Sequence, residues 1–321
     1  MTDVDPAAGV RIIRDLVYAT HGDRALCADL FLPAIGGEPP PVVIWLHGGG
    51  WRFGSRRAAP DLSRFFAARG VATIAVDYRL SRRARFPAQI EDVKTAIRWV
   101  RSVAPEYGVD ARRIGLWGAS AGGHLAALAA LTGDGQFTPE GSPYLAHSSQ
   151  VQAAVDGYGP TDFLQMDAHR PPPGTPSDDP ETLPLPRPDL RSADPDSYES
   201  LLLGAPIGTC PELVRHANPI AYVHSGAPPF LILHGLSDMT VAPHQSELLY
   251  DALAASGNDA TLCLIEGLGH GFLNRTHLDD GPPRRMEIRE KKGEGAEQRS
   301  SRTAPVFPLI ETFFRRAFSS R

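Results

Sequence analysis

Residues 112–131 read RRIGLWGASAGGHLAALAAL, and the rest of the chain is arranged around this stretch. Its first part, residues 114–117, is short, apolar and bulky, which is typical of a buried strand, whereas residues 124–131 are rich in Ala and Leu, which favours a packed helix. Between them lies G-x-S-x-G, so that Ser120 stands on a sharp turn from strand to helix. Such a turn needs small residues where a Cβ would clash. The pattern predicts a serine hydroxyl raised at the tip of a strand; an idle serine in a small-residue turn is the alternative.

A glycine-rich loop follows an earlier apolar run. Residues 42–46 (VVIWL) are typical of a strand covered on both faces, and they lead into HGGGW at residues 47–51. Three consecutive glycines stabilise neither strand nor helix, but they let backbone N–H groups point at a ligand without side-chain obstruction. Together with the serine turn, the loop predicts an oxyanion hole formed by Gly49, Gly50 and Ala121, the residue after the serine. A merely flexible loop is the alternative.

A serine nucleophile needs a base within hydrogen-bond reach and a third group that orients the base. Histidine suits the role of base because its imidazole titrates near neutral pH. Among the 11 histidines, His270 follows a late predicted strand, sits between glycines and comes after a candidate acid. His244 is the nearest alternative, but it falls on a predicted helix. His47 belongs to the glycine loop, and we expect His124 and His234 to make structural hydrogen bonds.

The acid is expected after a strand that lies between Ser120 and His270 in the chain. Asp238 meets this condition in the segment HG-x-x-D, which follows an apolar run at residues 229–233, and Asp156 and Asp162 are the alternatives. Two other acids are set aside. Asp77 precedes the serine, contrary to the order serine, acid, histidine, and Glu266 lies too close to His270 in the chain to orient it from the far side.

Predicted strands alternate with predicted helices along the chain, which favours an α/β fold with a mostly parallel sheet and helices on both faces. The predicted strands are 10–18, 25–32, 42–46, 71–76, 114–117, 151–158, 229–233 and 261–265, and the predicted helices are 61–70, 87–103, 198–203, 211–221, 243–256 and 305–318. Each motif described above follows a strand. Because ligands bind at the carboxyl ends of parallel strands, the motifs should gather at one edge of the sheet.

We expect a single domain over residues 1–321, with an insertion at about residues 159–223 that forms a cap or lid over the strand ends. Residues 171–195 hold nine of the 30 prolines and are expected to be mobile. Residues 284–302 are charged and nearly free of apolar side chains, so they are expected to form a disordered loop. Four aromatic residues are candidates for pocket walls or for simple core packing: Trp51, Phe53, Tyr158 and Phe272.

Composition excludes several other classes of protein. The 321 residues carry a formal net charge of -5 without a basic stripe, which argues against nucleic acid as a partner. No apolar run approaches the roughly 20 residues of a membrane span. The start, MTDVDPAAGV, lacks the apolar core of a secretory signal, and the three cysteines are widely spaced, so we expect reduced thiols in a cytoplasmic protein. No Cys/His cluster has zinc-site spacing, and we expect no metal.

Four segments together resemble the α/β-hydrolases, and more narrowly the hormone-sensitive-lipase-like esterases: HGGGW at 47–51, GASAGGH at 118–124, HG-x-x-D at 234–238 and GHGF at 269–272. Three further segments are similar to bacterial carbohydrate deacetylase/feruloyl esterases and their arylformamidase-like relatives. They are VDYRLS at 76–81, FPAQIEDVKTAIRWVR at 86–101 and LLLGAPIGTCPEL at 201–213. The resemblance covers about residues 10–271 and fades over 171–195 and 277–304.

The resemblance implies a serine carboxylic ester hydrolase with no cofactor that acts on short acyl esters, either acetylated carbohydrates or hydroxycinnamoyl esters. Its implied partner is a small-molecule ester, and a homodimer is compatible with the sequence. An arylformamidase would use the same triad on an N-formyl amide and is the alternative activity. A ligand receptor built on the same fold would be expected to lose a triad member, whereas Ser120, Asp238 and His270 are all present.

Overall fold

The computed structural model describes the backbone of residues 2–5 and, in full, residues 9–34, 37–170, 172, 177–179, 181 and 190–319. Eleven described strands form one sheet in the order β1-β2-β3-β5-β4-β6-β7-β8-β9-β10-β11. They are β1 (Thr2–Asp5), β2 (Val10–His21), β3 (Arg24–Pro33), β4 (Val42–Leu46), β5 (Ala72–Val76), β6 (Ile114–Ala119), β7 (Ala153–Gly157), β8 (Phe230–Gly235), β9 (Ala260–Ile265), β10 (Arg284–Lys291) and β11 (Gln298–Ala304).

The middle of the sheet is parallel and its two margins are antiparallel. Strands β5, β4, β6, β7, β8 and β9 pair in parallel, whereas β1, β2 and β3 at one margin and β10 and β11 at the other pair antiparallel. Every residue of β4, β5, β6, β7 and β8 is buried, as expected for parallel strands covered on both faces. The predicted mostly parallel α/β sheet is confirmed for the described residues.

Helices cover both faces of the sheet. The α-helices are α1 (Leu62–Phe65), α2 (Ala88–Tyr107), α3 (Ala121–Thr132), α4 (Tyr198–Leu203), α5 (Pro211–Ala217), α6 (His244–Ala255) and α7 (Phe307–Ser319), with 3₁₀ turns at Ala67–Arg69, Phe163–Gln165, Ile207–Thr209, Pro219–Tyr222 and Phe272–Asn274. Successive residues of β4 enter opposite cores: Ile44 joins the cluster of α2, α3 and α6, and Trp45 joins the cluster of α1 and α7. This is the period of two expected of a strand.

The predicted helix at residues 61–70 is broken in the structure. Asp61 caps α1 by accepting the N–H of Arg64, and the helix ends at Phe66, whose φ of -132° leaves the helical range. A 3₁₀ turn follows and stops at Gly70, where φ is 84°. The ring of Phe66 is buried and packs on Trp117 at a centroid distance of 5.1 Å. Burial of this side chain therefore coincides with the break in the helix.

The expectation of a disordered loop at residues 284–302 is wrong. The segment supplies β10 and most of β11, and β10 continues the sheet by pairing with β9. Met286 and Ile288 alternate with charged residues and are buried, so one face of β10 covers the core. The charged residues between them hide this period-two pattern. β11 is an edge strand, which needs backbone hydrogen bonds but no apolar face.

Short helices from residues 159–223 pack onto the face of the sheet that α3 covers. Phe163, Leu202 and Val214 join the hydrophobic cluster that contains α3. The extent of a cap over residues 159–223 stays our proposal. The mobility expected for residues 171–195 falls largely outside the described residues, although Asp179 and Ser192 within it are described and buried. Among the helices described here, none combines the length and the apolar character needed to cross a membrane.

Candidate active site

Ser120 lies at the junction of β6 and α3 with a backbone that serine rarely adopts. Its φ is 55° and its ψ is -121°. Two backbone hydrogen bonds hold it: its N–H donates to the carbonyl of Gly157 over 2.7 Å, and its own carbonyl accepts from the N–H of His124 over 3.0 Å. A non-glycine residue at such a φ is strained and persists only where the surroundings impose it. This backbone conformation turns the chain sharply from strand to helix at Ser120.

The glycines around Ser120 let backbone segments approach closely. A Cβ at Gly118 would lie 2.1 Å from the carbonyl oxygen of Gly122, and a Cβ at Gly122 would lie 2.0 Å from that of Leu46. A Cβ at Gly123 would lie 2.3 Å from a carboxylate oxygen of Asp156. Real Cβ atoms do not approach this closely, so the turn requires glycine at all three positions. The predicted need for small residues here is confirmed.

Ser120, His270 and Asp238 form a chain of hydrogen bonds. His270, in the loop after β9, has its Nε2 2.9 Å from Ser120 Oγ and its Nδ1 2.7 Å from Asp238 Oδ2. Asp238 follows β8 and is 1% exposed, while the His270 side chain is 21% exposed. Because Asp238 accepts at Nδ1, the neutral imidazole has its lone pair on Nε2, facing the serine. The structure thus brings together the three residues predicted as a triad.

Asp238 is held as a carboxylate despite its burial. Burial alone would raise the pKa of Asp238, but the charge of His270, together with hydrogen bonds from His234 and His270, holds that pKa well below its usual range. Its Oδ1 also accepts the N–H groups of Thr240 and Val241 at 2.8 and 3.0 Å. These contacts fix the carboxylate so that Oδ2 faces the imidazole.

Other histidines make structural contacts. Buried His234 contacts Ser246 Oγ through Nδ1 at 2.7 Å. In buried His124, Nδ1 accepts from Trp51 Nε1 over 3.1 Å and Nε2 donates to the carbonyl of Ala217 over 2.8 Å. Burial lowers the pKa of His124 to about 4, so it is neutral at pH 7. The structural hydrogen bonds expected of His124 and His234 are present.

The alternative base, His244, and the alternative acids, Asp156 and Asp162, contact residues outside the proposed triad. His244 lies on α6, with its Nδ1 3.4 Å from Glu247. Asp156 accepts the N–H of Gly159 over 2.9 Å, and its burial raises its pKa to about 6. Asp162 caps a 3₁₀ turn and accepts from Asn218 over 3.0 Å. In the described part of the chain, no ion pair joins any of them to His270 and no hydrogen bond joins any of them to Ser120.

Two further acids also have structural partners. Asp77 accepts from the backbone and the guanidinium of Arg56 at 2.8 and 2.5 Å. Glu266 lies 3.3 Å from Arg285 in an exposed ion pair. Both are thus engaged away from the triad.

The glycine loop runs directly beside Ser120. A Cβ at Gly48 would lie 3.3 Å from the Cβ of Ser120, and Gly49 and Gly50 have φ values of 110° and 57°. His47 anchors the loop because its Nδ1 donates to the carbonyl of Gly48 over 2.7 Å and its ring stacks on Tyr78 at 4.3 Å. Positive φ values of this kind favour glycine. The loop can therefore present backbone groups to the serine hydroxyl.

Ala121 is the first residue of helix α3, and its N–H group lies before the first N–H that donates within the helix. The first such bond from this turn is donated by His124 to the carbonyl of Ser120. The N–H groups at the start of a helix lack intrahelical acceptors and carry partial positive charge. Ala121 is therefore suited to stabilise a negative oxygen beside Ser120, and its role in an oxyanion hole with Gly49 and Gly50 stays a prediction.

The aromatic candidates for pocket walls differ in exposure. The side chains of Trp51, Tyr158 and Phe272 are at most 1% exposed. Tyr158 packs against His270, with its ring 4.8 Å from the imidazole, and its hydroxyl accepts the N–H of Leu273. Phe53, by contrast, is 43% exposed. The three buried rings therefore support the residues around the site and present almost no surface to a bound substrate.

Sequence reasoning missed two groups near the site. Tyr198, the first residue of α4, lies against Gly50, since a Cβ on that glycine would meet its ring at 2.7 Å. Asp179 reaches from the proline-rich segment to the loop that holds His270, where it accepts the N–H of Gly269 over 2.6 Å and pairs with Arg275. Tyr198 begins a short helix and Asp179 lies in an irregular segment, and in neither does periodicity or a motif identify the residue that makes the contact.

Comparison with known proteins connects this geometry to esterases. The family model BD-FAE matches residues 28–253. The esterase LipC of Mycobacterium tuberculosis is 36% identical over 242 residues, which cover 73% of this chain and 54% of LipC. A probable isoprenylcysteine alpha-carbonyl methylesterase of Arabidopsis thaliana, ICMEL1, is 27% identical over 80% of this chain and 50% of the relative. The chain spans about half the length of the curated relatives it matches.

Solved structures show the same architecture. A truncated form of a carbohydrate esterase from gut microbiota has a TM-score of 0.74 and 26% identity, and the match covers 96% of each chain. The thermophilic esterase Est2 of Thermogutta terrifontis, solved with butyrate bound, has a TM-score of 0.61 and 28% identity over 82% of this chain and 85% of the other.

Proposed function

Because the chain has the α/β-hydrolase fold and belongs to the BD-FAE family, we propose that it is a serine carboxylic ester hydrolase that acts on short acyl esters. One observation carries the proposal: His270 lies within hydrogen-bond distance of both Ser120 Oγ, at 2.9 Å, and Asp238 Oδ2, at 2.7 Å. A serine so placed beside an oriented imidazole is an activated nucleophile.

The first half of the reaction transfers the acyl group to the enzyme. His270 Nε2 takes the proton of Ser120 while Oγ attacks the ester carbonyl carbon. The N–H groups of Gly49, Gly50 and Ala121 would hold the negative oxygen of the tetrahedral intermediate, and losing one such donor typically costs about 10²–10³ in rate. When the intermediate collapses, the bond to the alcohol breaks, and the departing oxygen takes the proton from His270.

The second half releases the acid. A water molecule gives one proton to His270 Nε2 and attacks the carbonyl carbon of the acyl-enzyme. Collapse of the second intermediate breaks the bond to Ser120 Oγ, which regains its proton from His270. Throughout, Asp238 accepts a hydrogen bond from the Nδ1–H group of His270 and stabilises the positive charge that the imidazole carries in each intermediate. The cycle ends with the enzyme in its starting state.

For the natural substrates we infer acetylated carbohydrates or hydroxycinnamoyl esters. A short acyl group agrees with the butyrate bound in the similar Est2 structure, and a carbohydrate alcohol agrees with the carbohydrate esterase that aligns over nearly the whole chain. The aromatic acyl group rests on the resemblance of residues 86–101 and 201–213 to bacterial feruloyl esterases.

The decisive experiment measures hydrolysis of p-nitrophenyl esters of increasing acyl length by the wild type and by Ser120→Ala. Turnover should be fastest on acetate, fall with acyl length and drop by about 10⁴-fold or more in the variant. The melting temperature of the variant shows whether the turn remains folded. Hydrolysis that Ser120→Ala leaves unchanged would contradict the proposal, as would a well-folded wild type that cleaves none of the esters.

A further inference from the structure

An exposed aromatic pair stands at the edge of the proposed oxyanion hole. Phe53 is 43% exposed and Tyr198 is 36% exposed, and their rings meet edge-to-face with centroids 6.1 Å apart. Single exposed apolar side chains are common and need no explanation. This pair is different because its two rings come from separate segments, the turn just after the glycine loop and helix α4, and because the Tyr198 ring packs directly against Gly50 of that loop.

The pair is tied closely to the proposed site. The ring of Tyr198 lies so near Gly50 that a Cβ there would be 2.7 Å from it, and the carbonyl of Phe53 lies 2.5 Å from the equivalent position on Gly49. Gly48, one residue earlier in the same loop, lies beside the Cβ of Ser120. The Tyr198 ring therefore adjoins the proposed oxyanion hole, and the Phe53 ring, which contacts Tyr198, extends this aromatic surface.

A positive charge adjoins the aromatic pair. The guanidinium carbon of Arg82 lies 4.2 Å from the centroid of the Phe53 ring, a cation–π contact that holds the charge at the rim of the pair. Arg82 is exposed, as are Arg83 and Arg85 on the same turn. No ion pair joins these three arginines to an acidic side chain in the described residues, whereas Arg56 and Arg79 are both paired with acidic side chains.

The turn that holds Arg82 is fixed between the two segments that supply the rings. The N–H of Ser81 donates to the carbonyl of Trp51 in the glycine loop over 2.8 Å. The N–H of Phe86 donates to the carbonyl of Leu202 in α4 over 3.0 Å. Arg82 is therefore part of the same local structure as Phe53 and Tyr198, rather than a charge on an independent loop.

We propose that Phe53, Tyr198 and Arg82 form a subsite for a ring that carries a negative charge, so that the enzyme prefers esters with a carboxylate on the ring of their acyl or alcohol part. This inference rests on the proposed esterase function and names a substrate class for it. Aromatic faces bind a flat ring, and an unpaired guanidinium beside them binds a carboxylate. Because the group is solvent-exposed, the preference is modest and weakens with added salt.

The test compares esters that differ only in charge. In the first pair, 4-acetoxybenzoate and 4-acetoxybenzamide, the ring belongs to the alcohol part of the ester. In the second pair, monomethyl terephthalate and methyl 4-carbamoylbenzoate, the ring belongs to the acyl part. For at least one pair, the wild type should favour the carboxylate by about two- to fivefold in kcat/KM. Arg82→Gln should bring that ratio to about one, whereas Arg112→Gln, the same change at the opposite edge of the sheet, should leave it as in the wild type.

Binding measured by calorimetry separates the subsite from the chemistry. 4-Hydroxybenzoate should bind the wild type more tightly than 4-hydroxybenzamide, and Arg82→Gln should remove the difference. Phe53→Ala should weaken binding of both compounds. Equal binding of the two compounds, with no carboxylate preference in either ester pair, would overturn the subsite even if esters are hydrolysed. A carboxylate preference that depends on Arg82 in a protein that cleaves no ester would support the subsite and contradict the esterase proposal.

Discussion

Asp238 has less freedom than the other two members of the proposed triad. Its Oδ1 accepts two backbone N–H groups while its Oδ2 accepts from His270, so the carboxylate cannot turn without losing these bonds. An amide in its place can keep the Oδ1 contacts but presents an NH₂ group to His270, which favours the wrong imidazole tautomer. We expect Asp238→Asn to lower kcat/KM by about 10³–10⁴-fold, measured on p-nitrophenyl acetate.

Asp156 provides the matched control for this variant. Asp156 is also fully buried, lies near the end of β7 and is an alternative acid in the sequence, but it accepts from Gly159 rather than from His270. Asp156→Asn keeps an acceptor for that N–H, so kcat/KM should stay within about threefold of the wild type. If Asp156→Asn lost activity and Asp238→Asn retained it, the assignment of Asp238 as the acid would be wrong.

At the level of single residues, the sequence identifies the candidate site residues that directly follow strands. Ser120, Asp238 and His270 were identified because each comes after an apolar run, and the carboxyl ends of parallel strands meet at one edge. Tyr198 comes from the short helix α4, and Asp179 comes from a proline-rich segment. Tertiary packing decides which of their atoms reach the site, and no local pattern records that packing.

Among the structural elements, the loop that holds His270, the proposed base, is fixed by contacts with a separate segment of the chain. Asp179 accepts from Gly269 on one side of His270 and makes a bidentate ion pair with Arg275 on the other, at 3.0 and 2.6 Å. Burial favours the neutral acid, but these partners outweigh it and lower the pKa of Asp179, which is therefore ionised at pH 7. The proline-rich segment thus holds the loop on both sides of the imidazole.

Asp179→Asn should loosen this loop, because the amide loses the ion pair while it keeps an acceptor for Gly269. We expect kcat to fall about tenfold with a smaller change in KM, since the base is misplaced while the rest of the pocket remains. The rate at which an organophosphate labels Ser120 should fall in parallel, because it depends on the same base. A purely structural role would lower the melting temperature without slowing the labelling of the folded fraction.

The adjacent Asp178 offers a control because it is exposed and lies beside the same loop. Asp178→Asn removes the same charge from the same segment and should leave kcat and the labelling rate at wild-type values. Equal losses in both variants would assign the effect to the charge of the segment and contradict a positioning role for Asp179.

Apolar runs predict the central strands, while the margin of the sheet formed by β10 and β11 escapes prediction. β4 and β8 are almost wholly apolar because both of their faces are buried, and such runs are visible without alignment. In β10, only Met286 and Ile288 mark the buried face among charged neighbours. β11 needs no buried face at all, so its composition resembles that of a loop.

For the molecule as a whole, buried titratable groups with opposite effects shape how stability depends on pH. Burial raises the pKa of Glu199 from 4.5 to about 7, so the folded state binds more protons and stability falls as pH rises between these values. Burial lowers the pKa of His124 from 6.5 to about 4, so the unfolded state binds more protons and stability rises over almost the same range. The two contributions largely cancel between about pH 4.5 and 6.5.

Glu199→Gln should remove one side of this balance, because glutamine has no charge to bury. The melting temperature of the variant should match that of the wild type near pH 5 and exceed it by several degrees at pH 8, where the ionised Glu199 costs at most about 3 kcal/mol. Glu212→Gln, the same change at an exposed position on α5, should shift the melting temperature little at either pH. A Glu199→Gln variant that is equally destabilised at both pH values would mean that the buried side chain stabilises the fold through its hydrogen bonds, with no cost from its charge.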